Sequence, residues 1–376
     1  MTMKADTEVL IVGAGVQGCS LAYQLSKRGR RVMVIEKETI ASGASKAAAG
    51  MLGAQSEWEG PGLFQEFALE SRSLFKELVP EVEALSGIDV SYVNNGMLKP
   101  VWDMAGEEKY QRAAGRSYGA EWLSSYEALR REPALSEHIR GAWSIPKDGQ
   151  LRAYEWTMAL AKAAKACGTV IRENTSVERL LEADDRVYGV KTSEGVVEAE
   201  EVVFTGGSAG AGLLDEKEFT LYPVKGECLS IRMPRENLRH TLHTPQVYIV
   251  PKKDGEIFIG ASEKPGDSST GVTVASIQEL MKAAVHLVPG LKHANIERLW
   301  SGVRPQTGDG LPYMGQTERG LWVMTGHYRN GILLSALSGS WMADRIEGKS
   351  VREDWKHLFA VDPQIRKGGV IHADHA

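Results

Sequence analysis

Three glycines and one acidic residue near the N-terminus form the pattern with the clearest chemistry. Gly13, Gly15 and Gly18 follow a short apolar run at residues 8–12 and open a helical stretch. Glycines at this spacing permit a tight turn, close approach of backbone to a pyrophosphate, and close packing of a helix on a strand. Glu36 ends the second expected strand, where a carboxylate can accept hydrogen bonds from ribose hydroxyls. We expect a dinucleotide to be bound by Gly13, Gly15, Val16, Gly18 and Glu36.

The glycine pattern does not distinguish NAD from FAD, but two other segments favour FAD. Residues 42–51 form a run of small side chains, SGASKAAAGM, along which an elongated cofactor could pass close to the backbone. Residues 326–333, GHYRNGIL, separate a late strand from a late helix, whose N-terminus could direct its dipole at the N1–C2 edge of a flavin. A tightly packed helix start and an ordinary strand-to-helix turn are the respective alternatives. The chain has one complete fingerprint, which argues against a second site for NADPH.

Composition and charge narrow the class of protein. The length of 376 residues, 43% of them hydrophobic, suits about two globular domains. The net charge of -5, with scattered Lys and Arg, argues against a nucleic-acid partner. The sequence has neither a signal peptide nor an apolar run of about 18 residues, so we expect a cytoplasmic protein without a membrane span. Neither a disulfide framework nor a metal site is expected from Cys19, Cys167, Cys228, His372 and His375.

The apolar periodicities predict the elements that must position these residues. Apolar side chains at three- or four-residue steps predict a long helix at 63–85. An Asn-Asn-Gly turn predicts a hairpin of residues 88–93 with 97–101, and a second hairpin is expected from 186–192 and 196–199. Further helices are predicted at 154–167, 276–287 and 331–346, and further strands at 169–172, 202–205, 226–232, 247–250, 257–261 and 321–325.

The order of these elements predicts two interleaved domains. Buried parallel strands recur in three stretches of the chain, and antiparallel patterns occur in the two insertions between them. We therefore expect an α/β fold in which residues 1–86, 148–222 and 303–376 form an FAD-binding Rossmann-like domain. Residues 87–147 and 223–302 would form an antiparallel, β-rich substrate-binding domain.

With these motifs identified, the chain resembles the glycine oxidases of the D-amino acid oxidase superfamily. The likeness extends from residue 9 to about residue 346 and implies a glutathione-reductase-like FAD fold of the D-amino acid oxidase type. Its landmarks are AAAGMLGA at 47–54, PVKGEC at 223–228, YIVP at 248–251, GVRP at 302–305, DGLPY at 309–313 and GHYRNGIL at 326–333.

The resemblance implies FAD held without a covalent link. In agreement, no cysteine follows Cys228, whereas related sarcosine oxidases attach their flavin through a cysteine late in the chain. By resemblance, the Val177 backbone meets the adenine, and Gly206 and Gly207 pass near the cofactor. The same likeness places Ser45, Ala48, Ala49, Gly50 and Met51 along the flavin and His327, Arg329, Asn330, Gly331, Ile332 and Leu333 over its pyrimidine edge.

The resemblance also implies a substrate site. It assigns Arg304 to the substrate carboxylate, which a planar guanidinium can bind through both oxygens. Tyr248 would donate to the same carboxylate, Arg329 would supply polar groups near the amine, and Met51 would form an apolar wall. The alternatives are a structural ion pair for Arg304 and a core-facing strand residue for Tyr248.

The implied reaction is the oxidation of a small amino acid or amine by molecular oxygen. Glycine would give glyoxylate, ammonia and hydrogen peroxide, and sarcosine and small D-amino acids are further candidate substrates. The family implies a homotetramer and a role in supplying the thiazole ring of thiamine. Two positions depart from the family pattern: Glu263 stands where a methionine is expected, and Gln246 where a histidine is expected. A carboxylate at 263 would favour an amine or cationic substrate, or would point to solvent.

Two other functions remain open at this point. One is a D-amino acid dehydrogenase that passes electrons to a quinone or carrier. The other is a flavin- or NAD-binding sensor without catalysis, which predicts a blocked or altered pocket.

Overall fold

The structure is a computed structural model that describes residues 7–57, 61–113, 118–215, 219–233, 238–317, 319–362 and 364–366. The C-terminal tail with His372 and His375 lies outside these residues. The helices of the described chain are α1 (Val16–Lys27), α2 (Ala44–Ala47), α3 (Leu63–Ser86), α4 (Met104–Ala113), α5 (Ser125–Arg131), α6 (Ala153–Ala166), α7 (Val274–Leu287), α8 (Gly331–Ile346) and α9 (Glu353–Leu358).

The strands form one mostly parallel sheet, one large mixed sheet and two small sheets. In chain order they are β1 (Val9–Val12), β2 (Val32–Ile35), β3 (Met51–Leu52), β4 (Met97–Val101), β5 (Glu121–Ser124), β6 (Gly141–Ile145), β7 (Gly149–Gln150), β8 (Val170–Arg172), β9 (Val177–Ala183), β10 (Arg186–Thr192), β11 (Gly195–Glu198), β12 (Glu201–Phe204), β13 (Leu221–Arg232), β14 (Thr241–His243), β15 (Tyr248–Pro251), β16 (Glu256–Gly260), β17 (Lys264–Pro265), β18 (Asn295–Thr307), β19 (Tyr313–Gln316) and β20 (Trp322–Thr325).

The parallel sheet has the order β19-β20-β12-β1-β2-β8, with only β19 antiparallel to its neighbour. Strands β1 and β2 are four-residue apolar runs that are buried throughout. Such runs are expected where both faces of a parallel sheet are covered. The three-stranded sheet β11-β10-β9 and the helices provide that cover, and the sheet's central strands carry the glycine fingerprint at their carboxyl edge.

The helical layer packs around aromatic side chains. Phe67 of α3 lies against Trp355 and Phe359 with ring centroids 4.9 and 4.8 Å apart. Trp156 of α6 is fully buried, and its indole N–H donates to the Ser335 hydroxyl of α8 at 3.0 Å. Among the described helices, none combines the length and apolar character that a membrane span requires.

The large sheet has the order β17-β13-β16-β15-β14-β4-β6-β5, and β18 pairs with β13. All of its pairings except β4 with β14 are antiparallel. One face packs on α7 through an aliphatic cluster that includes Leu229, Ile249, Ile259 and Leu280. The other face is turned toward α2 and β3, and it carries the residues discussed below.

The predicted α/β fold class is confirmed, and so are the long helix, found at Leu63–Ser86, and the hairpin of β10 with β11. The hairpin predicted from residues 88–93 and 97–101 is wrong. Within residues 88–93 only Val93 forms a bridge, to Gln150, while β4 pairs with β6 and β14. The local turn signal was therefore outweighed by pairing with strands distant in sequence.

The division into two interleaved domains remains a proposal. The strands of the parallel sheet fall within 1–86, 148–222 and 303–376, as expected. However, β13 and β18 each run across an expected boundary, at 222/223 and 302/303. Residue 304 consequently belongs to the large sheet.

We predict that Gly339→Ala destabilises the fold. A Cβ at this position of α8 would lie 2.2 Å from the Ser20 hydroxyl oxygen and 2.9 Å from the Ser20 carbonyl carbon of α1. Overpacking costs about 1–3 kcal/mol, partly offset by the roughly 1 kcal/mol that alanine gains over glycine in a helix. Urea denaturation should therefore show a lower free energy of unfolding. The matched variant Gly271→Ala, with no atom within 4 Å of its Cβ, should behave like the wild type.

Candidate active site

The glycine fingerprint forms the turn between β1 and α1. Gly13 has a φ of 107°, which favours glycine, and a Cβ on Gly18 would lie 2.1 Å from the Gly13 carbonyl oxygen. The fold itself therefore requires both glycines. Gly15 differs, because among the described residues, apart from its chain neighbours and its own helix, a Cβ there would meet only the Ser45 hydroxyl within 4 Å, at 3.4 Å. The space beside Gly15 is thus open to the close approach of a ligand.

Backbone groups hold the Glu36 carboxylate beside this turn. The Ala14 N–H donates to one carboxylate oxygen at 2.7 Å, and the Glu38 N–H donates to the other at 2.9 Å. The Thr175 N–H donates to the Glu36 carbonyl at 2.9 Å, and Val177, two residues further on, begins β9 of the three-stranded sheet. The acidic residue and the fingerprint therefore meet at the carboxyl edge of the sheet, where ligands of open α/β sheets bind.

Two more of the expected cofactor segments converge on the fingerprint. The Val16 N–H donates to the Ser45 hydroxyl at 2.9 Å, which ties α1 to α2. After β12, the Gly206 Cα would lie 3.0 Å from a Cβ on Gly13, and Gly207 has a φ of 58°. These contacts place 45–51 and 206–207 next to the same open space.

The segment after β20 closes the same region from the side of α8. The Gln17 amide donates to the Gly331 carbonyl at 2.7 Å and so joins the first turn of α8 to α1. His327 is buried, and burial lowers its pKa to about 3, so the imidazole is neutral. Its Nε2 and the Gln17 Oε1 are buried without a hydrogen-bond partner among the described residues. Asn330 precedes α8, and its first turn contains Gly331, Ile332 and Leu333.

These observations fit an FAD. The open approach at Gly15 suits a pyrophosphate, and the backbone-held Glu36 carboxylate suits a ribose. The unpaired polar atoms of Gln17 and His327 are of the kind that a bound group satisfies, since buried polar groups are rarely left without a partner.

Lys252 fixes the segment expected along the flavin, and the sequence analysis had not identified it. It is 6% exposed, and its ammonium donates to the Ala49 carbonyl, the Gln150 side-chain oxygen and the Leu151 carbonyl at 2.7, 2.7 and 2.9 Å. The lysine follows β15 directly, so it connects the large sheet to the segment between α2 and β3. Of the residues expected along the flavin, Ala48, Ala49 and Gly50 lie in this segment, Ser45 lies in α2 and Met51 begins β3.

Arg304 and Tyr248 lie on one face of the large sheet, and each extends over a glycine of a neighbouring strand. A Cβ on Gly226 would lie 2.3 Å from Nη2 of Arg304, and a Cβ on Gly260 would lie 2.4 Å from the Tyr248 hydroxyl. Gly226 pairs with Gly302, where a Cβ would lie 2.3 Å from the Cβ of Ala47 in α2. We call Gly226, Gly260 and Gly302 the glycine floor.

The Tyr248 side chain is surrounded by weakly polar groups. Its hydroxyl lies 3.4 Å from the Cys228 sulfur, and its ring packs in a small cluster with Met51. Burial, followed by the nearby Cys228 thiol, raises the pKa of Tyr248 well above its ordinary value. The hydroxyl therefore stays protonated and can donate a hydrogen bond. The cluster also contains Ala49, Val250, Phe258 and Trp300.

Arg304 has no carboxylate partner within the described ranges of the chain. Its recorded contacts are a hydrogen bond from Nη1 to the Ser262 carbonyl at 3.4 Å and the Tyr328 ring, whose centroid lies 5.9 Å from Cζ. The described residues therefore offer no structural ion pair to Arg304. A guanidinium with donors to spare, beside a tyrosine hydroxyl and above a floor without side chains, can bind a carboxylate through two oxygens.

Arg329, in contrast, is paired with protein carboxylates. Its Nη2 donates to Glu263, and its Nη1 lies 3.8 Å from Oε2 of Glu57. The Tyr328 hydroxyl also donates to Glu263, and His243 lies 3.4 Å from Glu57. Glu263 therefore contacts protein partners and is not turned only to solvent. No motif marked Glu57 or His243, because Glu57 meets Arg329 and His243 only in the folded chain.

The structure thus brings three of the four predicted catalytic residues, Arg304, Tyr248 and Met51, to one face. Arg329 lies against the Tyr328 ring, and its positive charge is paired with the carboxylates of Glu263 and Glu57. Among the described residues, no three His, Cys, Asp or Glu side chains are grouped so as to hold a metal.

Comparison with known proteins identifies the family. The sequence profile of the DAO family, described as FAD dependent oxidoreductase, matches residues 8–345. The chain belongs to the DAO family of FAD-dependent oxidoreductases. The prediction of FAD as the cofactor is confirmed by this membership.

The expected likeness to glycine oxidases is also confirmed. The chain is 40% identical to the glycine oxidase of Geobacillus kaustophilus over 380 residues, which cover 98% of this chain and 100% of that protein. The crystal structure of glycine oxidase from Geobacillus kaustophilus superposes with a TM-score of 0.90 at 39% identity, covering 95% of this chain and 98% of that one. The bifunctional protein ThiO/ThiG of Synechocystis is 33% identical over 93% of this chain and 53% of its own length.

We predict that Gly226→Ala weakens binding of a substrate carboxylate. The added Cβ would lie 2.3 Å from the Arg304 guanidinium, which is the end of a flexible side chain and would move away. The KM for the amino acid should rise about tenfold, equivalent to about 1.4 kcal/mol, with little change in melting temperature. In a double-mutant cycle with Arg304→Ala, the two effects should not add. Full additivity would contradict the proposed contact.

A second prediction concerns Lys252 and pH. Burial, followed by the nearby Arg152 charge, lowers the pKa of Lys252 to about 7, below its ordinary value in an unfolded chain. Between pH 7 and about pH 10 the unfolded state binds more protons, so this residue makes the free energy of unfolding rise with pH, by at most about 1.4 kcal/mol per pH unit.

Urea denaturation of the wild type and Lys252→Met across that window measures the effect. The variant should be less stable, because three acceptors lose their donor, and its pH slope should be smaller. Equal slopes would mean that Lys252 keeps an ordinary pKa.

Proposed function

We propose that this protein catalyses the FAD-dependent oxidative deamination of glycine and other small amines, including sarcosine and small D-amino acids. For glycine, the substrate, oxygen and water would give glyoxylate, ammonia and hydrogen peroxide. The observation that carries the proposal is the Arg304 guanidinium, which is without a protein carboxylate in the described chain and lies on the glycine floor with Tyr248 and Met51. The names of the glycine oxidase relatives support the same reaction.

Each side chain has a distinct task in this proposal. Arg304 binds the substrate carboxylate, and the Tyr248 hydroxyl, which stays protonated, donates to the same group. Met51 and the neighbouring apolar side chains exclude water from the substrate's α-carbon. The glycine floor lets the substrate lie close to the sheet. Positioning of this kind contributes to rate by holding the reacting atoms about 3–3.5 Å apart.

FAD would be held without a covalent link by the fingerprint, Glu36 and the 45–51 and 327–333 segments. Bound FAD supplies a two-electron acceptor for the hydrogen on the substrate's α-carbon and a route for those electrons to oxygen. The reaction does not require a strong side-chain base, because the substrate amine is bound neutral. His327 is neutral as well, so it adds no positive charge to the site.

We also propose a cytoplasmic location, a homotetrameric assembly and a role in thiamine thiazole synthesis. Cys19, Cys167 and Cys228 are all unpaired, which fits a reducing compartment. The likeness to ThiO/ThiG supports the thiamine role, and the homotetramer is what the family resemblance implies.

The test is peroxide release by the purified holoenzyme with glycine, sarcosine, D-alanine and D-proline in parallel. Arg304→Ala should lower kcat/KM about 10- to 100-fold, because hydrogen bonds to a charged group contribute about 1.5–3 kcal/mol. The bound-flavin spectrum should survive, since Arg304 does not lie in the nucleotide cradle, which is formed by Gly13, Gly15, Gly18 and Glu36. Arg304→Lys keeps the charge but loses the planar fork. Its kcat/KM should lie between those of the wild type and Arg304→Ala.

The same assay distinguishes the other functions. Flavin reduction by a substrate without peroxide would indicate a dehydrogenase that uses a quinone or carrier. Flavin reduction by none of the four substrates would overturn the amine-oxidising proposal and favour a sensor.

A further inference from the structure

A group of charged side chains lies near Arg304 and Tyr328. Arg329 stands between two carboxylates, those of Glu263 and Glu57, and the Tyr328 hydroxyl donates to Glu263. Glu57 has an 11% exposed side chain and also contacts His243. Burial alone would raise the pKa of Glu57, but His243 and Arg329 lower it to about 2, so this carboxylate is charged.

Within this group of charged side chains, Glu263 lines a cavity. Its side chain is 36% exposed, and it lies in the wall of a cavity of about 690 Å³ together with Arg329, Ser262 and Gln246. Burial opposes ionisation of Glu263, but the Tyr328 hydroxyl and Arg329 hold its pKa below the ordinary range. The cavity wall therefore carries a carboxylate whose charge is kept at neutral pH.

Arg304 and Arg329 both lie close to the ring of Tyr328. Their Cζ atoms lie 5.9 and 5.2 Å from the centroid of Tyr328. Both guanidiniums could hold a carboxylate, and a substrate with two acidic groups could bridge them. The difference is that Arg329 is already occupied by Glu263 and flanked by Glu57, whereas Arg304 has no such partner within the described chain.

We propose that Glu263 makes the site selective against substrates with a second anionic group. By binding Arg329, its carboxylate removes the position that a second substrate carboxylate would use and leaves negative charge there. The site then accepts an amino acid whose carboxylate binds Arg304 and whose remaining substituents are uncharged. This inference rests on the proposed amine oxidation and specifies its substrate class.

The test compares substrates that differ by one carboxylate. Iminodiacetate is sarcosine with an added carboxylate, and D-aspartate is D-alanine with an added carboxylate. For each pair, the measured quantity is kcat/KM for the dicarboxylate divided by kcat/KM for the monocarboxylate. In Glu263→Gln, the iminodiacetate-to-sarcosine ratio or the D-aspartate-to-D-alanine ratio should be at least tenfold higher than in the wild type. Glu263→Asp, which keeps the carboxylate, should leave both ratios within about threefold of wild type.

Glu279→Gln is the matched control. Glu279 lines the same cavity from α7, so its replacement changes the net charge equally without freeing Arg329. Its ratios should match those of the wild type. An equal rise in Glu279→Gln would show a general charge effect and overturn the specific role of Glu263.

A binding measurement separates this inference from the proposed function. Titration of the oxidised holoenzyme with acetate and with malonate, followed by flavin absorbance, needs no turnover. Malonate should gain at least tenfold in affinity relative to acetate in Glu263→Gln. Wild-type turnover of sarcosine with unchanged ratios in Glu263→Gln would overturn the inference and leave the oxidase intact. No turnover of any amine by the wild type would overturn the proposed function, and the malonate-to-acetate ratio would still test Glu263.

Discussion

The candidate substrate site depends on the long antiparallel pairing of β13 with β18. The register runs from Leu221 opposite Thr307 to Arg232 opposite Asn295, with one irregularity near Ser230. It places Arg304 opposite Val224, so that the guanidinium extends along the face to Gly226. A shift of one residue would turn the arginine to the opposite face, because strand side chains alternate. The pairing of β13 with β18 therefore decides whether Arg304 can reach the proposed carboxylate-binding position.

The nucleotide cradle and the substrate face are built on different sheets, and a few buried polar contacts connect them. Lys252 donates to two carbonyls and one amide oxygen around the segment leading into β3. The Trp300 indole N–H donates to the Ala47 carbonyl at 3.0 Å. Gly302 allows α2 to approach the sheet at the same point. These contacts fix residues 45–51 against the large sheet, between the sites proposed for the cofactor and for the substrate.

Of the two arginines beside Tyr328, Arg304 is the one without a carboxylate partner in the part of the chain that the structure describes. Arg304 keeps its donors, whereas Arg329 is matched by Glu263 and Glu57. Burial keeps Tyr248 protonated and His327 neutral. An enzyme arranged in this way acts by binding and orienting a substrate, since neither Tyr248 nor His327 takes up or releases a proton near neutral pH.

The sequence by itself determined the nucleotide cradle, because its signals are local. A tight turn that needs glycine, a helix start and an acid at a strand end all fall within residues 9–36, and the folded chain holds them together by short-range contacts. The family resemblance located Arg304 and Tyr248, although no local pattern predicted β18, whose polar residues lie on an edge strand without apolar alternation. Only the tertiary structure decided that three glycines on adjacent strands form a floor, that Lys252 supports the 45–51 segment, and that Glu57 and Glu263 neutralise Arg329. These relations join residues up to some two hundred and seventy positions apart, and no local pattern encodes such distances.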